Sequence, residues 1–206
     1  MNARAGGMVF SSPLGGGTES LRYTSTPGPF YVKEAPTVNF IIRKHIFLDL
    51  INSVIDVYPG EEIVLCGEII HNLKKQILYD PSVIVYHHRR SLFIPHLKQV
   101  WNYGLVKGSL VNNYFKYVRV IFFIPSFFLL FLILGGVSLI YSPHFIEFYL
   151  FTITIYLLVT LFFSLKIFLS DYNFHLTTLI FLGIISTHLI YGLSFMIGIF
   201  RINKGT

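Results

Sequence analysis

The second half of this sequence is almost free of charge over stretches long enough to cross a lipid bilayer. From Val120 to Leu165 the only formally charged residue is Glu147. A helix needs about 20 consecutive apolar residues to span the hydrocarbon core, and none of these segments has a polar face to meet water. The sequence therefore predicts an integral membrane protein with three transmembrane helices, at residues 120–141, 145–169 and 176–200.

Charge is concentrated before the first span. Residues 1–119 hold 13 of the 16 lysines and arginines, and the loop between the first two spans has neither. Because basic residues accumulate in cytoplasmic loops, residues 1–119 are expected in the cytoplasm of a multi-pass plasma-membrane protein. Three spans then place Arg201 and Lys204 outside, which leaves a re-entrant segment as an alternative. A surface that faces membrane lipids accounts for the net charge of +6, and nucleic acid is not expected as a partner.

The first 90 residues show the patterning of a mixed α/β domain. Short strands are predicted by β-branched runs, and helices by apolar residues at helical spacing. The predicted strands are Thr37–Ile42, Ile77–Tyr79 and Val83–Tyr86, and the predicted helices are Arg43–Asn52 and a helix that opens at Glu61-Glu62 and ends near Lys75. The single cysteine, Cys66, excludes an internal disulfide and is expected to be a small core residue.

Residues 91–118 mix apolar side chains with lysines just before the first span. Such a mixture is typical of a helix that lies in the membrane interface. Pro95, Gly104 and Gly108 are expected to break this amphipathic segment into shorter pieces.

A series of short motifs follows in a recognisable order through this region. An acidic pair opens a helix, a short strand ends in an Asp-Pro turn, and a basic stretch leads to a helix with spaced polar residues. The motif residues are Glu61-Glu62 with Leu65 and Ile69, then Ile77–Pro81, then Val85, His87, Arg90 and Ser91, and finally Gln99, Tyr103 and Gly104, with Asn39–Phe47 upstream. Their order and spacing resemble the acceptor-side end of a family 2 (GT-A) membrane glycosyltransferase of the exopolysaccharide type.

The resemblance implies three regions. Residues 1–90 would be the C-terminal part of a GT-A-like catalytic domain, without its nucleotide-binding N-terminal half. Residues 91–118 would be the interfacial helical segment, and residues 119–206 the transmembrane region.

The resemblance also implies an activity: inverting sugar transfer from a nucleotide-sugar donor to a polysaccharide or lipid-linked acceptor. Glu62 would be the general base that takes the proton of the acceptor hydroxyl, with Glu61 in support, although family members usually carry Asp at that position. The residues implied in substrate binding are Gln99, Tyr103, Arg89, Arg90 and His87. Two alternatives stay open: the glutamates only complement a helix dipole, and the basic residues face lipid headgroups.

The donor side of the family has no counterpart in this sequence. Its Asp-x-Asp motif holds a divalent cation, Mg²⁺ or Mn²⁺, whereas the four aspartates here are scattered, and His87-His88 has no third ligand at credible spacing. We therefore expect no metal to be bound by this chain alone. A truncated or split gene product is expected, inactive unless a separate chain supplies the donor half.

A second class of function remains open from the residues alone. The chain would then be a small non-catalytic membrane protein that binds a partner or lipid. A transporter or channel is a poorer interpretation, because such proteins place ionisable groups inside their spans and only Glu147, His144 and His188 are available.

Overall fold

A computed structural model describes residues 1–23, 26–54, 60–86, 88–141 and 143–201. The described chain is mostly helical, with one two-stranded sheet. Its helices are α1 (Asn2–Ser11), α2 (Pro13–Gly16), α3 (Lys44–Val54), α4 (Glu61–Gly67), α5 (Ile94–Tyr114), α6 (Ile124–Tyr141), α7 (Ile146–Asp171) and α8 (Phe174–Phe200), and its strands are β1 (Phe30–Val32) and β2 (Ile77–Tyr79).

The prediction of three membrane-spanning helices is confirmed as far as length and composition go. The three apolar stretches are Val120–Ser138, Ile146–Ser170 and Phe174–Phe200, with mean hydropathies of 2.7, 2.1 and 1.9. The first joins a 3₁₀ turn to α6, and α7 and α8 form a tight hairpin. The side chain of Asn173 accepts a hydrogen bond from the Leu176 amide at 2.9 Å, which caps the start of α8.

Helix α5 is continuous, so the expectation that Pro95 and two glycines break it is wrong. Pro95 lies in the first turn, where its missing N–H would have had no partner within the helix. Gly104 and Gly108 are instead points of close approach to α8, since a Cβ on Gly104 would collide with the Ser194 hydroxyl and one on Gly108 with the Phe195 carbonyl. Small residues four apart on a helix let two backbones come together in this way.

The two helices run side by side in the same direction. The residue numbers of the contacting pairs increase together in the two segments. The first pair is Leu92 against Gly183, and at the other end the Asn112 amide donates to the Ile199 carbonyl at 2.9 Å. Between these ends, the imidazole of His96 lies 2.8 Å from the Thr187 hydroxyl. Helix α5 therefore runs alongside α8, the third candidate span, in the same direction.

The predicted helices of the N-terminal half are confirmed at α3 and α4. Helix α4 continues as a π-helical turn, Glu68–Asn72, and ends a few residues before the predicted Lys75. Together with β2, these helices bury Leu50, Leu65, Cys66, Ile69 and Ile77 in one apolar core. Cys66 is 1% exposed, as expected for a small core residue.

Two predicted strands are wrong. The segment Thr37–Ile42 begins with a 3₁₀ turn at Thr37–Asn39, and Val83–Tyr86 is unpaired and exposed, with Tyr86 at 96%. Strand β2 instead pairs with β1 in antiparallel register, Tyr31 opposite Leu78. A strand forms only where a neighbouring strand satisfies its backbone, and the described part of the α/β region is limited to these two strands.

The glycine-rich N-terminus packs on the membrane helices. Ala5 and Val9 of α1 are fully buried against Leu176, Ile180 and Ile184 of α8. The contact is close, since a Cβ on Gly6 would lie 2.6 Å from the Arg90 carbonyl oxygen. The small side chains of this segment thus allow it to lie between α8 and the basic stretch before α5.

Candidate functional site

The two predicted catalytic glutamates begin α4 but have different surroundings. Gly60, at φ 120°, turns the chain into the helix. The Glu61 carboxylate accepts a hydrogen bond from the Gly60 amide at 2.9 Å. Glu61 therefore complements the start of its own helix, which is the alternative considered for both residues. Glu62 is half-buried and lies next to charged groups from other elements.

The pKa of Glu62 is raised above its usual value of 4.5. Burial is the main cause, because the carboxylate loses contact with water. The neighbouring carboxylates of Glu61 and Glu34 raise the pKa further, while Lys107 acts in the opposite direction. A carboxylate with a raised pKa holds a proton more strongly and is a better general base near neutral pH.

An ion pair that the sequence analysis missed lies beside Glu62. The Lys107 ammonium is 3.3 Å from the Glu34 carboxylate, with side chains only 13% and 6% exposed. Lys107 also lies 4.0 Å from the centroid of the Phe122 ring. Glu34 follows β1 and precedes Lys107 by 73 residues in the chain. No local sequence pattern therefore predicts this ion pair. The sequence does contain an indication that Lys107 belongs with the site residues. Lys107 continues the four-residue spacing of Gln99 and Tyr103 along one face of α5.

Tyr103 lies among several of the predicted site residues. Its phenol oxygen accepts a hydrogen bond from the Gln99 amide at 2.7 Å. Burial is the main cause that raises the pKa of the Tyr103 phenol, and nearby Glu62 raises it further, whereas Arg90 lowers it. The structure therefore brings Glu62, Arg90, Gln99 and Tyr103 within electrostatic range of one another.

A polar cavity of about 290 Å³ opens beside these residues. Arg90, Lys98, Gln99, Asn102 and Pro95 line it. Two cations and two side-chain amides suit a ligand with phosphate oxygens, since amides donate hydrogen bonds and the cations balance charge. Lys98 was not among the predicted binding residues, although it directly precedes Gln99 on α5.

Arg89 does not line this cavity. Its guanidinium lies 4.0 Å from the ring centroid of Tyr23 and 5.6 Å from that of Phe10. These cation–π contacts hold the side chain against the N-terminal segment. His87, the remaining predicted binding residue, lies outside the described residues. Arg90 thus lines the cavity, whereas the adjacent Arg89 packs on the rings of Tyr23 and Phe10.

The Tyr191 phenol of the third span lies within electrostatic range of Glu34. The Tyr191 hydroxyl is buried and has no hydrogen-bond partner among the described residues. A buried hydroxyl without a partner is costly, so this group marks a position where a ligand atom or a water molecule would be favourable.

The residues present do not fit a divalent cation. Across residues 1–23, 26–54, 60–86, 88–141 and 143–201, no three His, Cys, Asp or Glu side chains converge. The Glu34 carboxylate pairs with Lys107, and that of Glu61 accepts the Gly60 amide. A site for Mg²⁺ or Mn²⁺ needs several free oxygen ligands, so no step below passes through a metal.

Comparison with protein-family models, curated proteins and solved structures finds no match to this chain. The fold itself defines the class, because three helices are long and apolar enough to cross a membrane. The chain is a membrane protein, with a small, mostly helical domain that packs beside its spans.

Proposed function

We propose that this chain provides the acceptor side and the membrane anchor of an inverting glycosyltransferase. A separate polypeptide segment, not contained in these 206 residues, would supply the nucleotide-sugar-binding half. The observation that carries the proposal is that Tyr103 lies close to Glu62, Arg90 and Gln99. Arg90 and Gln99 also line one polar cavity. Tyr103 and its neighbours come from α4, α5 and the stretch between β2 and α5, as the resemblance to family 2 glycosyltransferases implies.

Glu62 would act on the acceptor. Its carboxylate takes the proton of an acceptor hydroxyl as the oxygen of that hydroxyl bonds to the anomeric carbon of the sugar. The bond from that carbon to the donor diphosphate breaks on the opposite face, so the configuration inverts. A positioned base of this kind contributes about 10²–10⁴-fold to the rate. The raised pKa of Glu62 supports this role, because the base must hold the proton it receives.

The polar cavity would receive the negatively charged leaving group. Arg90 and Lys98 provide positive charge, and Gln99 and Asn102 provide amide donors. Charge that develops on a departing diphosphate is stabilised by fixed cations in this way. Tyr103 interacts with Glu62, and its hydrogen bond with Gln99, which lines the cavity, holds it in position.

We also propose a location for the site. The polar cavity and the basic residues that precede the first span face the cytoplasmic side of the plasma membrane, while α5 lies along the third span. Nucleotide sugars would reach the polar cavity from that side, and a polysaccharide or lipid-linked acceptor would approach along the membrane.

A transfer assay tests the proposal. The chain is reconstituted in lipid nanodiscs, with and without a donor-binding polypeptide encoded beside its gene, and transfer from radiolabelled nucleotide sugars to membrane lipid or polymer is measured. We expect transfer only with both polypeptides, and loss of it in Glu62→Gln but not in the matched variant Glu68→Gln.

Two results would count against the proposal. Robust transfer by the 206-residue chain alone would refute the need for a second polypeptide. Equal transfer by Glu62→Gln and the unsubstituted chain would remove Glu62 as the base. If no donor-binding polypeptide is encoded nearby and no transfer is seen, a non-catalytic membrane protein that binds a partner or lipid becomes the better interpretation.

A further inference from the structure

A second cavity lies where the N-terminal domain meets the first span. It has a volume of about 490 Å³ and is separate from the cavity beside Gln99. We call it the junction groove and define it by five of its lining residues. These are Lys33, Lys116, Arg119, Val120 and Ile121.

One side of the junction groove is positively charged. Lys33 and Lys116 are exposed, and both line the groove together with Arg119. Glu34 is the acidic residue that lines it within the described chain, and its carboxylate pairs with Lys107. Arg119 is 3.5 Å from Glu19 and remains 26% exposed. Lys116 also lies near the Glu68 carboxylate and donates to the Asn72 side-chain oxygen at 3.4 Å. Lys33 therefore provides positive charge that neither Glu34 nor Glu68 balances.

The other side of the groove is apolar and leads into the bilayer. Val120 and Ile121 begin the first candidate span, and Val120 is 82% exposed. Ile124 and Phe127 follow on the same face of the helix, 58% and 63% exposed. An exposed apolar stripe thus runs directly from the charged groove along α6.

This arrangement fits an amphiphile with an anionic head. A free phosphate would leave the apolar side uncovered, and a neutral lipid would leave the positive charge of Lys33 without a counter-charge. Basic residues next to a span attract anionic headgroups, and the hydrocarbon chain of a lipid would cover Val120, Ile124 and Phe127. We propose that the junction groove binds the phosphate group of a membrane lipid whose hydrocarbon chain lies along α6.

Lipid-borne phosphate has two sources, an anionic phospholipid of the bilayer and a polyprenyl phosphate. Both carry the same recognised group, and the experiment distinguishes them. Neither depends on the proposed transferase activity, because the groove is lined by residues other than Glu62, Gln99 and Tyr103.

Binding is measured on the full chain by native mass spectrometry from detergent micelles. The probes are short-chain phosphatidic acid, a polyprenyl phosphate, short-chain phosphatidylcholine and inorganic phosphate. The test variant is Lys33→Gln with Lys116→Gln. The matched control is Lys44→Gln with Lys75→Gln, which removes the same charge from two exposed lysines that do not line the groove.

We expect the test variant to bind the lipid phosphate about 30-fold more weakly, or about 2 kcal/mol at 1.4 kcal/mol per factor of ten. The control variant should bind as the unsubstituted chain does. A preference for phosphatidic acid identifies a bilayer phospholipid, and a preference for polyprenyl phosphate identifies a carrier lipid.

Three results would overturn the proposal: equal loss in both variants, no loss in the test variant, or binding of inorganic phosphate as tight as that of either lipid. Far-ultraviolet circular dichroism of each variant shows whether it is folded. Since both lysines are exposed, unfolding is not expected, and weaker binding by a folded variant is attributable to the lost charge.

Discussion

The close contact between α5 and α8 predicts that replacing Gly108 by alanine lowers the stability of the protein. A Cβ at this position would collide with the Phe195 carbonyl and would lie 2.9 Å from the Cα of Gly198. Both neighbours are backbone, so neither can rotate away, and Gly108→Ala must push the helices apart. Overpacking of this kind costs about 1–3 kcal/mol. With about 2–4 °C of melting temperature per kcal/mol for a chain of this length, the midpoint should lie about 2–12 °C below that of a helical Gly→Ala variant without such a collision.

The chain provides both a probe and a control for this experiment. Trp101 is the single tryptophan and lies in α5, so its fluorescence during heating in detergent reports on this helix. Gly136→Ala is the matched substitution, because a Cβ there meets the Tyr149 hydroxyl at an ordinary 3.5 Å. Both variants gain the same helix propensity, about 1 kcal/mol, so their difference isolates the contact. Equal melting temperatures of the two variants would show that α5 does not pack on α8 as described.

Three further predictions concern charged and polar groups. Because the folded pKa of Glu62 is raised above 4.5, its ionisation lowers stability as pH rises through that range; Glu62→Gln should therefore melt higher than the unsubstituted chain at pH 7 but not at pH 4, and equal melting temperatures of the two at pH 7 would contradict this prediction. Burial lowers the pKa of His96 to about 4, so stability should be lost as pH falls from 6.5 toward 4, by about 3 kcal/mol in all; denaturant titrations across this range should lose that dependence in His96→Gln. Lys107→Met removes the cation from the nearly buried Glu34 and should cost about 3–5 kcal/mol; addition of Glu34→Gln should recover most of it, and no recovery would mean that the pair is not coupled.

The sequence predicted those parts of the structure that depend on local patterns. Hydropathy located the three spans to within a few residues, and helical spacing located α3 and α4. It did not predict the partner of β2, because β1 lies more than 40 residues earlier and strand pairing is a long-range property. It also misread Val83–Tyr86, where β-branched residues suit a strand but no neighbour pairs with them among the described residues.

The same distinction applies to the candidate site. Gln99 and Tyr103 lie four residues apart on one helix, so their contact follows from local geometry. Glu34 reaches this region only through the fold, and Arg89 packs on the ring of Tyr23 rather than lining the cavity. Sequence patterns therefore identify which residue types are present, whereas tertiary packing decides which of them meet.

Helix α5 connects the membrane helices to the candidate site. One stripe of it, which includes Val100 and Gly104, is buried against α8, and the neighbouring stripe carries Gln99, Tyr103 and Lys107. Since the two stripes belong to one rigid helix, any displacement of α5 from α8 also moves these three side chains relative to α4. The close packing of glycines on the last span thus fixes the distance between Glu62 and its neighbours on α5. A site built in this way depends on the membrane helices for its geometry as well as for its anchorage.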